Sequence, residues 1–398
     1  MIPNLDSQIG ISVYSTKFDG IGGKIRVAPE DFEVSERISE KTLNAINQEE
    51  GYAVYKLKKR RIDTNHALSD IFRKKGIRLK SLGLKDASAI TEQFVSSGNK
   101  GKAIEDYSSE KYSLRKIGFV KKPLSKKDMI GNHFKIKISE CSDGLSSFTE
   151  FNSVLNFYGY QRFGSKRPVT HLIGKAIVQR NFEKAVDLIL SFTSDYDTQE
   201  NNEIREKLGD KQIFKQYYDK IPHQMDIERI VVKEMIDHDD AFSSVRAIPL
   251  SLRRFYIQAY QSYIFNKSLS AAFSDGENLF ESESGDVCFD SKGIIGKFIK
   301  GMDQNLALPF VGYSYYKKTR FHPQISQVLE QEEISPKDFF IKEMQEVSSE
   351  GGFRQAAIDC SDYSSNENVV EFTLSRGSFA TILLREIMKP SDPIFAGF

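Results

Sequence analysis

Apolar and polar residues alternate with a period of two in Lys24 to Ile38, Tyr52 to Arg60, Thr91 to Ser96 and His133 to Ile138. That period sends successive side chains to opposite faces of a strand, so these stretches require a sheet with one face against a core. In HFKIKI, for example, Phe134, Ile136 and Ile138 share one face. Among these stretches, DTNHALSDIFRKKG changes to helical spacing. Asp63 or Thr64 can cap its start, Ala67, Leu68, Ile71 and Phe72 form one apolar stripe, and Gly76 can close it. Helical spacing returns in Ser147 to Tyr158, Lys175 to Phe192 and Leu252 to Phe273, which makes the middle helix-rich. Near the end, Val369 to Leu374 reads as a strand, Ser375-Arg376-Gly377 as a turn, and Ser378 to Lys389 as a helix stopped by Pro390. The class expected is α+β. A chain of 398 residues exceeds one ordinary core and should divide into two or three units.

No stretch approaches the ~20 apolar residues of a membrane span, and MIPNLDSQIG lacks a basic region followed by an apolar one. Cys141, Cys288 and Cys360 are far apart, with no CxxC pair, so neither a disulfide framework nor a zinc site is expected. A cytoplasmic protein fits these features. The net charge of +1 conceals an uneven distribution. Gly51 to Lys85 holds eleven Lys and Arg against Asp63 and Asp70, and Lys111 to Lys127 holds seven more with no acid. A single basic run is often a solvated face, but two in one half favour a groove for a polyanion. Asp195 to Asp210 and Glu330 to Glu350 are mostly acidic.

Four segments could carry chemistry. In LGLKDASAITEQF, Asp86 follows Lys85 and precedes the small run Ala87-Ser88-Ala89, so little bulk shields its carboxylate and a cation stands beside it. By spacing alone, a solvated loop aspartate is the commoner occupant of such a turn. In RVAPEDFEVSE, Phe32, Val34 and Glu36 project from one face of the expected strand. A buried carboxylate needs a basic partner, and Arg26 has the same parity. NFYGYQRFGSKRP mixes Phe157, Tyr158, Tyr160 and Phe163 with Asn156, Gln161, Arg162, Lys166 and Arg167. Such rings can stack on bases and guanidinium groups can grip phosphates, although core packing explains some of the rings. In EFTLSRGSFATILLREIMKP, Gly377 and Ser378 start a helix whose free amides favour an anion, with Phe379 close by. Ser378 there is also a candidate for a plain cap.

Together these segments resemble the TruD family of tRNA pseudouridine synthases, and they occur in the family's order. Gly83, Lys85, Asp86, Ala89, Thr91 and Gln93 meet the G-x-K-D-x-x-A-x-T-x-Q pattern, and Asn156 to Gly164 meet N-[YF]-[FY]-G-x-Q-R-F-G. Pro29 to Glu36 match P-E-D-F-x-V-x-E, and Gly377 to Glu386 match G-S-[FY]-A-T-x-x-x-R-E, with Ser375 standing where the family usually has Pro. The resemblance implies a pseudouridine synthase catalytic domain with a mixed or antiparallel sheet, residues 1–165 plus 352–398, interrupted by a helix-rich insertion over 166–351. The helix QAYQSYIFNKSL looks like the insertion's characteristic element. Asp86 would be the catalytic aspartate, and Phe32, Asn156 and Phe379 would hold the target nucleotide, with Tyr158 beside the base. Arg26 and Lys85 would keep Asp86 charged, with Glu36 and Arg385 in support.

The activity so implied is isomerisation of uridine to pseudouridine in tRNA, at position 13 of the D arm, with neither metal nor organic cofactor and no obligatory protein partner. The bond from ribose to uracil N1 breaks, the uracil turns, and it rejoins through C5 before the C5 proton leaves. A carboxylate can attack the sugar or abstract a ribose proton to give a glycal, and the sequence leaves both routes open. A non-catalytic RNA-binding protein on the same fold and an N-glycosidase releasing uracil are the alternatives.

Overall fold

The structure is a computed structural model and describes residues 1–47, 49–85 and 87–398. Seven strands come first: β1 (Phe32–Ile38), β2 (Tyr52–Lys59), β3 (Leu79–Ser81), β4 (Ile90–Ser97), β5 (Tyr107–Ser108), β6 (Tyr112–Val120) and β7 (Met129–Lys137). Helices then dominate until a small second sheet forms from β8 (Val287–Asp290), β9 (Ile295–Lys297), β10 (Gln304–Phe310) and β11 (Gly352–Gln355). The chain returns to the first sheet with β12 (Cys360–Asn366) and β13 (Val369–Ser375), and ends after the helix Ala380–Met388.

The main sheet runs β12-β13-β7-β1-β4-β2-β6-β5, with β3 also paired to β4. It is mixed: β1 lies parallel to β4 and the other pairs are antiparallel. Register places Lys59, Thr91, Val34, Phe134 and Phe372 in one row across the sheet, and Glu36, Asn132 and Leu374 in the next. Cross-strand partners share a face, so aromatic and polar side chains from five strands converge there. Phe134 stacks on Phe372 at 5.3 Å, and each buried ring contributes about 1.5–3 kcal/mol. Two helices cover this face. Thr64–Lys75 buries Ala67 and Ile71 against Tyr55, Leu57 and Val95, whereas Ala380–Met388 buries Ile382, Leu383 and Ile387 with Phe134 and Phe372.

The long helix Leu250–Ser274 is buried nearly all round, so its polar residues serve other segments. Asn266 accepts from Tyr158 N at 2.8 Å and donates to Tyr158 O and Ile9 O, while Gln261 donates to Val311 O at 2.6 Å. The helix Thr170–Val178 crosses it at Gly174, where a Cβ would lie 2.0 Å from Tyr256 O. Among the described residues, no helix is long and apolar enough to cross a membrane.

Several boundaries differ from the sequence reading. The first strand begins at Phe32, not Lys24: Pro29–Asp31 form a 3-10 turn, and Arg26 is left-handed with φ 58°. Proline and the two acids behind it close a turn through Asp31, whose carboxylate accepts from Ala28 N at 2.8 Å. Ser147 to Tyr158 is not a helix. Its backbone pairs Leu155 with Ala357, and Asn156 N donates to Ala356 O, so tertiary pairing overrides the spacing. The expected helix Lys175 to Phe192 is two, Thr170–Val178 and Phe182–Ser191, because Asn181 caps the second through Lys184 N. The last helix starts at Ala380, two residues later than expected, with Phe379 and not Ser378 at its N-cap.

Candidate active site

β1 and β3 occupy successive parts of the same edge of β4: Glu33–Ser35 pair with Ile90–Glu92, and Leu79–Ser81 with Val95–Ser97. Between them the amide of Phe94 has no strand partner, and Glu36 Oε2 accepts from it at 2.9 Å. The other oxygen of Glu36 lies 3.0 Å from Lys85 Nζ, so the basic partner of Glu36 is Lys85 and not Arg26. Residues 82–85 are thus mounted on this fork in the sheet. Gln93 Nε2 donates to Gly83 O at 3.0 Å, Lys85 N donates to Thr64 Oγ1 at 2.9 Å, and the buried Lys59 ammonium donates to Lys85 O at 2.9 Å. Asp86, the residue expected to do the chemistry, lies outside the described residues. Of its neighbours in sequence, Lys85 is tied through both backbone and side chain, whereas Ala87 and Ser88 are exposed.

A cavity of about 250 Å³ opens on the sheet between the segment that carries Lys85 and the start of the helix Ala380–Met388. Phe32, Val34, Thr91, Asn132 and Phe134 form the floor, Leu84, Lys85 and Ala89 one side, and Ser378, Phe379, Ala380 and Thr381 the other, with Arg26 and Gln161 completing it. Both charged side chains among these lining residues are cations, Arg26 and Lys85. The Arg26 guanidinium lies 4.1 Å over the Phe32 ring and donates to Gly397 O at 2.6 Å. A left-handed arginine costs roughly 1–2 kcal/mol, and strain of this kind is commonly held where a side chain must point into a site.

Three polar atoms at the cavity lack a hydrogen-bond partner among the described residues: Thr91 Oγ1, Asn132 Oδ1 and Ser378 Oγ. Thr91 is only 1% exposed. A buried oxygen left unpaired costs about 1–3 kcal/mol, so the cavity has polar groups available for a ligand with its own donors and acceptors. Aromatic surface from Phe32, Phe134 and Phe379 with these orphaned groups suits a planar polar heterocycle. Among the described residues no group of three His, Cys, Asp or Glu side chains is gathered to hold a metal.

Of the candidates read from sequence, Phe32, Phe379, Lys85 and Arg26 reach the cavity wall, and Glu36 reaches it through Lys85. Asn156 and Tyr158 do not line it. Asn156 is buried behind it, where Oδ1 accepts from Arg354 Nη2 at 2.8 Å and Nδ2 donates to Gln355 O. Arg354 in turn lies 3.9 Å over the Tyr158 ring and 5.9 Å from the Phe379 ring centre. Burial pushes the pKa of Arg354 down from its usual value. Tyr158 packs edge-on to Phe379 at 6.0 Å, which makes it a buttress for that ring. Gly159 permits this approach, since a Cβ there would come within 2.9 Å of Thr381 Oγ1 and 3.2 Å of Phe379 Cδ1.

Arg385 is in the core away from the cavity. Its guanidinium pairs with Asp6 at 2.6 Å and Glu386 at 2.9 Å, and Asp6 also accepts from Tyr160 at 2.7 Å. Glu386 accepts from the backbone of Ser15 and Thr16, so this ionic group ties the start of the chain to the last helix. Sequence reading missed Asn132, Thr91 as a cavity group, and Arg354. Asn132 follows the glycine of MIGNHF, and only its place on β7, opposite Glu36, shows that it faces the cavity.

The sequence profile of the family described as tRNA pseudouridine synthase D (TruD) matches residues 8–387. Similar proteins named "Probable tRNA pseudouridine synthase D" include one from Methanosarcina acetivorans, 31% identical with 99% of this chain and 98% of that protein covered. Another, from Pyrobaculum islandicum, is 28% identical, with 100% of this chain and 99% of that protein covered. The crystal structure of a protein named "Putative tRNA pseudouridine synthase D (TruD)" from Methanosarcina mazei superposes with a TM-score of 0.81 at 29% identity, covering 99% of each chain.

Proposed function

Because the chain belongs to the tRNA pseudouridine synthase D family, we propose that it isomerises uridine to pseudouridine in tRNA, with Asp86 as the carboxylate that acts on a flipped nucleotide. The observation that carries this reading is the cavity between Lys85 and Phe379, which has aromatic walls, unpaired polar groups and two cations. A carboxylate supplied to such surroundings by the residue after Lys85 is favoured in its ionised form, the form needed by either a nucleophile or a base. Phe32 and Phe379 confine the uracil while it is detached from the sugar, and Asn132 and Thr91 meet its polar edge. Asn132 takes the place at the nucleotide that the family resemblance gave to Asn156, because its unpaired oxygen borders the cavity and that of Asn156 is bonded to Arg354.

Residues 1–165 with 352–398 form the catalytic unit in this reading, and 166–351 the insertion. The basic stretches Gly51 to Lys85 and Lys111 to Lys127 hold the RNA backbone, whose contacts offset the few kcal/mol needed to unstack the base. Uridine 13 in the D arm is the target, and the cytoplasm is where such a substrate is found.

The test is release of tritium from tRNA carrying C5-labelled uridine, followed by nucleoside analysis. The unaltered protein is expected to release tritium and form pseudouridine, and Asp86→Asn to slow this by ~10³-fold or more while still binding RNA. Free uracil in place of pseudouridine would identify a glycosidase, and turnover by Asp86→Asn near the parental rate would remove Asp86 from the mechanism.

A further inference from the structure

Leu84 is 68% exposed although it borders the cavity and immediately precedes Lys85. Leaving such a side chain in water forgoes about 1.5–3 kcal/mol of burial. Its backbone has little freedom to turn it inward. On one side Gly83 O is held by Gln93, and on the other Lys85 is held at N by Thr64, at O by Lys59 and at Nζ by Glu36. The leucine is therefore a fixed apolar projection at the mouth of the cavity.

A second exposed aliphatic stands on the neighbouring strand. Register in β7 passes from Gly131 opposite Arg37 to Met129 opposite Ile38, so Ile130 is the extra residue of a bulge, and it is 53% exposed. The two segments adjoin, since the Cβ direction of Gly83 points to within 3.8 Å of Met129 Sδ. Beside Ile130 the backbone is tied to exposed Arg376, whose N donates to Ile130 O at 3.0 Å and whose Nη1 donates to Lys126 O at 2.6 Å. Two apolar tips with arginine and lysine next to them match a nucleic acid, whose bases are apolar in their stacked faces and whose backbone is anionic.

We infer that Leu84 enters the base stack at the place left by the extruded uridine, with Ile130 as a second apolar contact to the flanking bases. The inference rests on the isomerase reading. A uridine moved into the cavity leaves a gap whose unstacking cost is a few kcal/mol, and an apolar wedge inserted at such a step recovers part of it. Leu84 is a positioning residue: it holds the open form of the RNA and takes no part in bond making.

The test uses tRNA transcript in which the modified uridine, first located by mapping with the unaltered protein, is flanked by 2-aminopurine. Binding by the parent should change the 2-aminopurine fluorescence as its stacking partner leaves. Leu84→Ser should bind with similar affinity, lose most of that change, and lower kcat/KM by about tenfold. Leu84→Met, which keeps an apolar tip of similar volume, should stay within about threefold of the parent. On a transcript with a mismatch that already opens the target site, the deficit of Leu84→Ser should shrink. Equal fluorescence and kcat/KM for Leu84→Ser and parent would overturn the inference, as would a deficit of the same size on both transcripts. If the unaltered protein forms no pseudouridine, the isomerase reading fails and this inference fails with it.

Discussion

Lys85 Nζ lies 3.0 Å from Glu36 Oε1, with the lysine side chain 8% exposed and the glutamate side chain fully buried. The pair joins the cavity loop to β1, and it also closes the fork in the sheet because the second oxygen of Glu36 caps Phe94 N. One carboxylate thus links strand pairing to the position of the loop.

Removing that carboxylate should harm both. Glu36→Ala leaves a buried lysine unpaired, and loss of one partner of a buried pair costs about 3–5 kcal/mol. Glu36→Gln retains an acceptor for Phe94 N and should cost less. Urea unfolding measures the difference, and tritium release should be slower in both variants. Equal stability of Glu36→Ala and parent would show that the pair does not hold the loop.

Asn132 and Asn156 should differ in kind. Asn132→Ala empties a place at the cavity and should reduce kcat/KM by about tenfold with little change in melting temperature. Asn156→Ala releases the guanidinium of Arg354 and should lower stability by about 1–3 kcal/mol. Steady-state kinetics beside thermal melts separates them, and the reverse pattern would assign the nucleotide to Asn156.

His171 provides a pH dependence of stability. It is buried against Tyr263 and Phe163, and burial lowers its pKa to about 4. Between that value and the ordinary value near 6.5, the unfolded chain takes up a proton that the folded chain refuses. Stability is therefore lost as pH falls through this window, by up to about 3 kcal/mol at its lower end. His171→Phe, which cannot titrate, should show a flatter melting profile from pH 7 to 5. Parallel profiles would mean that His171 does not contribute.

Affinity for tRNA should fall steeply as salt rises, because the basic stretches release counterions from phosphates. Neutralising Z contacts gives a logarithmic slope near −0.9Z for a duplex. Replacing Lys121 and Lys122 together with Ala should make the slope shallower by about two. A filter-binding series over salt concentration measures it, and an unchanged slope would place the RNA elsewhere.

Local signals accounted for much of the fold. Alternation located β2 and β4 closely and the second half of β7, though not its first four residues; the strand expected at Val369 to Leu374 is β13, and Asp63 and Gly76 closed the helix Thr64–Lys75 at the expected ends, with Asp63 accepting from His66 N and Gly76 left-handed at φ 68°. The same signals misled where packing dominated. Phe148, Phe151, Leu155 and Tyr158 have helical spacing, but Leu155 and Asn156 pair with residues 356 and 357, some two hundred positions away. β6 stands in the sequence only as part of a basic run, since Arg115 and Lys116 interrupt the alternation begun by Tyr112 and Leu114.

Sequence alone determined the family, the loop that carries Lys85 and Asp86, and the aromatic residues Phe32 and Phe379, because those depend on residue types at short fixed spacings. Only the tertiary structure decided that Lys85 and not Arg26 pairs with Glu36, that Asn132 borders the cavity while Asn156 holds Arg354, and that Arg385 belongs to a core ionic group. Those relationships are fixed by strand register and helix packing between residues far apart in the chain, and the direction of a buried polar side chain depends on which distant partner satisfies it.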